Sequence, residues 1–264
     1  MKDIKYLIIP DVHGRDFWKN PVDECLKDEN IKIIFEGDYH DPYFFEYPEK
    51  YEEEILQHSI DNFKKILDFK KTSPDRITLL LGNHDCGYAI GSFICSSRRD
   101  TRHAQELENL FKENRECFQL AEECTIGDTH FIFSHAGILK GWAESCFGQD
   151  MVSRKSFNIV DNLNNAWLMK DEHILFSLDA YDSYRGFGGY KYGSPIWSDI
   201  RSWAGISPDE TFGFNIVGHT QTEEHPILLD TIVDLDCRKV FYLDGEGNLK
   251  EFDSGETIFP QKMR

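Results

Sequence analysis

The sequence predicts an α/β fold, and three observations carry that expectation. Short apolar runs of strand length alternate with longer amphipathic segments of helix length. Five of the runs lead directly into Asp, His or Asn. No repeat, low-complexity tract or flexible linker divides the 264 residues, so a single domain spanning 1–264 is expected.

Taken in chain order, IKYLII (4–9), IKIIFE (31–36), ITLLL (77–81), THFIFS (129–134) and GFNIV (213–217) are too short for helices and are expected as strands. Residues 16–27, 50–71, 104–114 and 156–169 mix charged and apolar positions over longer lengths, and helices are expected there. From 226 onward, PILLDTIVDLDCRKVFYLDGEGNLKEF alternates strand-like runs with turn signals, and DGEGN reads as a hairpin loop. Three stretches fit neither pattern: DPYFFEYPEKYEE from 41, CGYAIGSFICSSRRD from 86 and AYDSYRGFGGYKYGSPIW from 180. Rich in Tyr, Phe and Gly, they either pack as loops onto the body or form the rim of a binding site.

With 40% hydrophobic and 29% charged residues, the chain has the material for a sizeable core. Its net charge of -18 and pI near 4.9 argue against a nucleic-acid polymer as partner, because such binding relies on Lys and Arg displacing counterions. The opening MKDIKYLIIPDVHG has too short an apolar run for a signal peptide, and no stretch approaches the roughly 18 apolar residues of a membrane span. A soluble, cytoplasmic protein with no membrane partner is therefore expected. Cys25, Cys86, Cys95, Cys117, Cys124, Cys146 and Cys237 form no CxxC pair, and their odd number favours reduced thiols over a disulfide framework or a cysteine-ligated zinc.

The strand ends carry the chemistry. YLIIPDVHG delivers Asp11 and His13; IIFEGDYHD delivers Asp38, His40 and Asp41; ITLLLGNHD delivers Asn83, His84 and Asp85; HFIFSHAG delivers His135; and FNIVGHTQ delivers His219. Ligands of open α/β sheets bind beyond the carboxyl ends of the strands, where such tips converge. Any one Asp or His after a strand commonly caps a helix or makes a turn, but five together supply oxygen and imidazole donors suited to Mn, Fe, Zn or Mg. One shared carboxylate can hold two such ions roughly 3.5 to 4 Å apart. Gly14, Gly37, Gly82, Gly137 and Gly218 accompany the tips and permit close backbone approach.

In order, DVHG, GDYHD, GNHD, SHAG and GHTQ resemble the five blocks of the calcineurin-like metallophosphoesterases, and more closely the serine/threonine phosphoprotein phosphatase branch with its small bacterial members. The resemblance implies a four-layer sandwich of two mixed β-sheets flanked by helices, enclosing a dinuclear metal centre. It implies Asp11 and His13 as ligands of the first metal, Asp38 as the bridging carboxylate, and Asn83, His135 and His219 as ligands of the second. His84 takes the place of the general acid, and Asp41 that of the carboxylate orienting it. Manganese is the first expectation for the two divalent ions, with iron, zinc or magnesium as alternatives. A water shared by two cations becomes a hydroxide aimed at phosphorus, and the leaving alkoxide then needs a proton that an imidazolium held by a carboxylate can supply.

Two departures qualify the likeness. The branch usually follows GDxxD with an Arg that clamps the substrate phosphate, whereas Pro42 and Tyr43 follow Asp41 here. Arg15, Arg98, Arg99, Arg185 and Arg201 are the candidates to replace it, the last lying in SPIWSDIR, which resembles a WSD block of the phosphatases. In the last block Gln221 stands where phosphodiesterase branches carry a second His, which favours phosphomonoester chemistry. His40 is expected on the surface or in a loop, and DLDCRK near 234 as a solvated strand end. The expected activity is hydrolysis of phosphomonoesters, with a phosphorylated protein or small molecule as substrate. A dinucleoside polyphosphate hydrolase whose aromatic loops stack on adenine is the close alternative. A non-catalytic scaffold is the distant one, and it would predict eroded ligand positions where none is eroded.

Overall fold

The computed structural model describes residues 3–91, 98–178 and 193–259. Arg185 and residues 180–192 of the third aromatic stretch lie outside them, as do residues 92–97 of the second. The described strands are β1 (Ile4–Ile9), β2 (Lys32–Phe35), β3 (Ile77–Leu80), β4 (Phe118–Gln119), β5 (Glu122–Ile126), β6 (Thr129–Phe133), β7 (Phe214–Val217), β8 (Ile227–Leu228), β9 (Ile232–Asp234), β10 (Phe241–Asp244), β11 (Leu249–Glu251) and β12 (Thr257–Phe259). The α-helices are α1 (Lys19–Cys25), α2 (Glu52–Thr72), α3 (Asn83–Ala89), α4 (Ala104–Glu113), α5 (Lys140–Phe147), α6 (Gln149–Val152), α7 (Ile159–Met169) and α8 (Glu172–Leu178).

The strands form two mixed sheets. In the first, β12-β11-β10-β1-β2-β3-β4, the strands from β1 to β4 run parallel and those beyond β10 antiparallel. In the second, β5-β6-β7-β9-β8, the central β6, β7 and β9 are parallel and the edge strands antiparallel.

Strand periodicity explains why these runs are apolar at nearly every position. Ile8, Ile34 and Leu80 of the first sheet meet Phe131, Phe133, Phe214, Ile216 and Val233 of the second in one apolar cluster between the sheets. Their sequence neighbours Leu7, Ile9, Ile33, Phe35 and Leu79 turn to the opposite face and pack with Val22 of α1 and Ile60, Phe63, Ile66 and Leu67 of α2. On the outer face of the second sheet, Ile132, Val217 and Ile232 belong to the same larger cluster as Trp142, Leu163 and Trp167 from α5 and α7. The layers therefore run helix, sheet, sheet, helix, as expected. Among the described residues no helix is long and apolar enough to cross a membrane.

The expected strands and helices lie where the periodicity puts them, with shifts at their ends. Helix α1 begins only at Lys19 because the preceding residues belong to the loop after β1, where the Trp18 indole N–H donates to the Arg15 carbonyl at 2.8 Å. DGEGN does form the turn between β10 and β11, closed by Asp244 Oδ1 accepting the N–H groups of Glu246 and Asn248, each at 2.9 Å. Strands β4 and β5 and helices α3, α5, α6 and α8 go beyond the expected set; β4 is two residues long, and β5 (EECTI) lies at a sheet edge.

Behind the loops that follow β2 and β3 lies an aromatic cluster centred on Phe63. Its ring centroid is 5.0 Å from Tyr39, 4.9 Å from Phe111 and 6.1 Å from Phe118. The Tyr39 hydroxyl donates to the Leu80 carbonyl at 2.7 Å, which ties the loop after β2 to β3. Phe63 is fully buried. Phe63→Ala is expected to cost about 3–5 kcal/mol of unfolding free energy, measured by denaturant titration, since the rigid neighbours cannot collapse into the vacated space.

Candidate metal centre

Strands β1, β2 and β3 of one sheet and β6 and β7 of the other end at a common edge, and the polar tips meet there. The loop after β1 is stitched to the loop after β2 by a short ladder: Val12 N–H to Gly37 O at 3.4 Å, His13 N–H to Asp38 O at 2.7 Å and Gly14 N–H to Tyr39 O at 3.1 Å. These tight passages put His13, Asp38, Asp41 and His219 in the left-handed backbone region, at φ 43°, 51°, 57° and 80°. Non-glycine residues rarely adopt that conformation, and it persists where surrounding bonds impose it. Gly82 shows why a side chain is barred beside the ligands: a Cβ there would stand 2.1 Å from Asp38 Oδ1. At Gly218 it would stand 2.3 Å from Asp11 Oδ1.

Asp38 sits at the centre. Its Oδ1 accepts the His84 backbone N–H at 2.9 Å, while Oδ2 lies 3.5 Å from His13 Nε2, 3.6 Å from His135 Nε2 and 4.0 Å from His84 Nε2. Asp11 Oδ1 accepts the His219 backbone N–H at 3.0 Å, and its Oδ2 faces His13 Nε2 at 3.7 Å. Asn83 Oδ1 lies 2.9 Å from His135 Nε2 and 3.0 Å from His219 Nδ1. Donor atoms of His13, Asp38 and His84 all lie within 4.8 Å of one another, as do those of Asp11, Asp38 and His135, and Asp38 is common to both groups. All six side chains expected to hold metal are thus brought together.

The proton assignments make this a cation site. His13 Nδ1–H donates to the His40 carbonyl at 2.9 Å, and His135 Nδ1–H donates to the Glu36 carbonyl at 2.8 Å. Each ring then turns the lone pair of Nε2 toward other acceptors, the Asp11 and Asp38 carboxylates in one case and Asn83 Oδ1 in the other. Imidazole nitrogens gathered with carboxylate and amide oxygens form a donor set that suits a metal ion. Burial draws His13 down to about 4, so its imidazole is neutral at pH 7, the form that ligates. Burial pushes Asp38 up to about 8, with Asp11 adding to the rise against the neighbouring His84. For Asp11 burial acts upward too, but His135 and the His13 contact outweigh it and hold the carboxyl below its ordinary range.

Beside this cluster, His84 Nδ1 pairs with Asp41 Oδ2 at 2.7 Å. Burial would raise the Asp41 carboxyl, but the His84 hydrogen bond and charge draw it down to about 2. The Asp41 carboxylate is itself held: Oδ1 accepts the Tyr88 hydroxyl at 2.5 Å and the Asp100 N–H at 3.2 Å. Tyr88 lies one helical turn beyond His84 on α3, so both reach Asp41 from one face.

Several residues differ from their expected roles. His40 is in a loop but buried, with Nδ1 against Ser59 Oγ at 2.7 Å and Nε2 against Asp100 Oδ2 at 3.2 Å. DLDCRK is not solvated: Asp234 and Asp236 are buried, and Asp234 accepts the N–H groups of Thr220 and Asp236, each at 3.1 Å, bracing the turn that carries His219. Asp85 ties two tips together, accepting from Asp38 N–H at 2.7 Å, Gly82 N–H at 2.8 Å and Tyr39 N–H at 3.1 Å. Of the arginines, Arg15 is forked onto Glu46 at 2.8 and 2.9 Å, Arg99 meets Glu108 at 2.9 Å, and Arg201 turns back onto Asp199. Arg98 alone of those described lies at His84, its Nη2 3.2 Å from Nε2. The first aromatic stretch does reach the rim, since Tyr43 packs edge-on to His13 at 5.1 Å.

The family model of the calcineurin-like phosphoesterases matches residues 4–220. Among solved structures, the cold-active protein-tyrosine phosphatase of a psychrophilic Shewanella species is similar at a TM-score of 0.59 and 15% identity, covering 98% of this chain and 82% of that one. A further structure described as a cold-active protein tyrosine phosphatase gives 0.54 and 14%, covering 95% and 80%. At such identities the likeness is one of fold. No curated protein matches by sequence.

Asp38→Asn removes the carboxylate shared by both donor groups. Divalent-metal affinity, followed by calorimetry with manganese, is expected to fall by at least about 100-fold, the upper range for disturbing even an indirect partner of a metal.

Proposed function

The chain belongs to the calcineurin-like phosphoesterase family, and from that premise we propose that it is a metal-dependent phosphomonoesterase acting on a phosphorylated protein or small molecule. The convergence of six ligand-type side chains, Asp38 at their centre, is the observation that carries this reading. Asp11, His13 and Asp38 would hold one divalent ion, and Asp38, Asn83, His135 and His219 a second. When bound, such ions would supply positive charge to the phosphoryl oxygens and would lower the pKa of a water.

The protein's own part is positioning and proton delivery. His84 Nε2 lies 4.0 Å from Asp38 Oδ2 while Nδ1 is held by Asp41, which fixes the ring beside the candidate ligands. Protonated there, it donates to the departing alkoxide of the ester. The Tyr88 hydroxyl and Asp100 N–H hold Asp41 from its other oxygen, which keeps the pair aligned as charge moves through it. Gln221, in place of a second His at the last tip, fits a monoesterase better than a diesterase.

A dinucleoside polyphosphate hydrolase is the second reading. It is favoured by the rim pair Tyr43 and Phe45, 5.5 Å apart and edge-on, with Phe45 72% exposed and able to take a base. Product analysis on a dinucleoside tetraphosphate beside a phosphopeptide separates the two.

The purified protein is expected to hydrolyse p-nitrophenyl phosphate when loaded with manganese and to stop on chelation. Folded, metal-loaded protein with no turnover would refute the enzyme reading. His84→Asn is expected to keep its metal by elemental analysis yet lower kcat by roughly 100-fold or more, the scale of general acid catalysis. Metal loss equal to that of Asp38→Asn would remove His84 from the proton-donor role.

A further inference from the structure

Building on the phosphomonoesterase reading, we propose that Arg98, carried by the loop between α3 and α4, is the phosphate-binding residue, positioned by a strut of buried His40 and Asp100 with half-buried His103. The position directly after Asp41 has no cation to offer, being Pro42 followed by Tyr43. Yet the space there is not without one, because Arg98 enters it from 57 residues further along, with Nε 3.4 Å from the Asp41 carbonyl.

Three features separate Arg98 from the other arginines near the centre. Its guanidinium carbon lies 3.6 Å from the centroid of the Tyr43 ring, closer than that of Arg15 at 5.0 Å. Nη2 is 3.2 Å from His84 Nε2, and Nε2 in turn is 4.0 Å from Asp38 Oδ2. Among the described residues no carboxylate lies within ion-pair distance of Arg98, whereas Arg15, Arg99, Arg102, Arg201 and Arg238 each meet an acid. Without an acid partner, the guanidinium spends its N–H groups on neutral acceptors, Nη2–H on His84 Nε2 and Nε–H on the Asp41 carbonyl, and a phosphate dianion would replace these with a charged pair of oxygens.

The loop is held in register by Asp100. Its backbone N–H donates to Asp41 Oδ1 at 3.2 Å, and its Oδ2 lies 3.2 Å from His40 Nε2 and 2.9 Å from His103 Nδ1. The His40 carbonyl in turn receives His13 Nδ1–H at 2.9 Å. A continuous chain of buried contacts therefore fixes Arg98 relative to the metal ligands, two residues from the anchor.

The test compares metal-loaded wild type, Arg98→Ala, Arg98→Lys, Asp100→Asn and the Arg98→Ala/Asp100→Asn pair, reading turnover of p-nitrophenyl phosphate, competitive inhibition by inorganic phosphate, and metal content. Arg98→Ala is expected to lose about 10- to 100-fold in kcat/KM, as for a charge-assisted bidentate contact, with phosphate inhibition weakened in parallel and metal content unchanged. Millimolar guanidinium should restore part of that loss, and Lys only a minority of it. Asp100→Asn should weaken phosphate inhibition in wild type but add nothing in the Arg98→Ala background, the signature of acting through Arg98. Wild-type KM and phosphate inhibition in Arg98→Ala overturn the assignment while leaving the enzyme reading intact. An additive double variant overturns the strut. A metal-loaded wild type that neither turns over the ester nor binds phosphate overturns both the inference and the reading beneath it.

Discussion

Everything at the sheet edge depends on a carboxylate kept where carboxylates are least comfortable. Asp38 is buried, faces the Nε2 atoms of three histidines, and has no room to retreat, because Gly82 and its own left-handed backbone press it forward. Such an arrangement is costly in a bare protein, since burial, with Asp11 nearby, pushes the carboxyl above its ordinary range. It becomes favourable when positive charge occupies the space between Asp38 and the imidazoles. The fold thus concentrates acceptors that suit a metal ion, and on the proposed reading metal binding and structural order at this edge would be linked.

Around this centre the protein spends further carboxylates on backbone N–H groups. Asp85 accepts from the loops after both β2 and β3, Asp234 from the turn beyond β7, and Asp100 from the residues that follow it. Asp85 and Asp234 each hold one loop against another, so the ligands are fixed by hydrogen bonds as well as by sheet geometry. The aromatic cluster around Phe63 supplies the rigid backing, reaching the site through Tyr39 and Tyr88. A ligand set drawn from five strand ends can converge only if all these tethers agree.

Much of this was legible in the sequence because the strands and their tips are local features. An apolar run ending in GD, GNHD or GHT carries its own strand, its turn and its donors within a few residues, and the glycines mark where backbones must pass close. What escaped depends on distance along the chain. His40 looks like any polar loop residue until Asp100, 60 positions away, closes over it. Asp234 and Asp236 sit in a stretch whose polarity suggests solvent, and only the packing of β9 against β7 buries them. Helix α3 is seven residues long and contains Gly87, so its periodicity is too brief to read, and with it the alignment of His84 and Tyr88 was hidden. Arg98 could be named as one of several cations, but its contact with Tyr43 and His84 is tertiary.

The central claim is that one carboxylate serves two cations. Crystals grown with manganese and measured near its absorption edge test it most directly. The account requires two anomalous peaks roughly 3.5 to 4 Å apart, both within bonding distance of Asp38 Oδ2. A single peak, or two peaks that do not share Asp38, would contradict it.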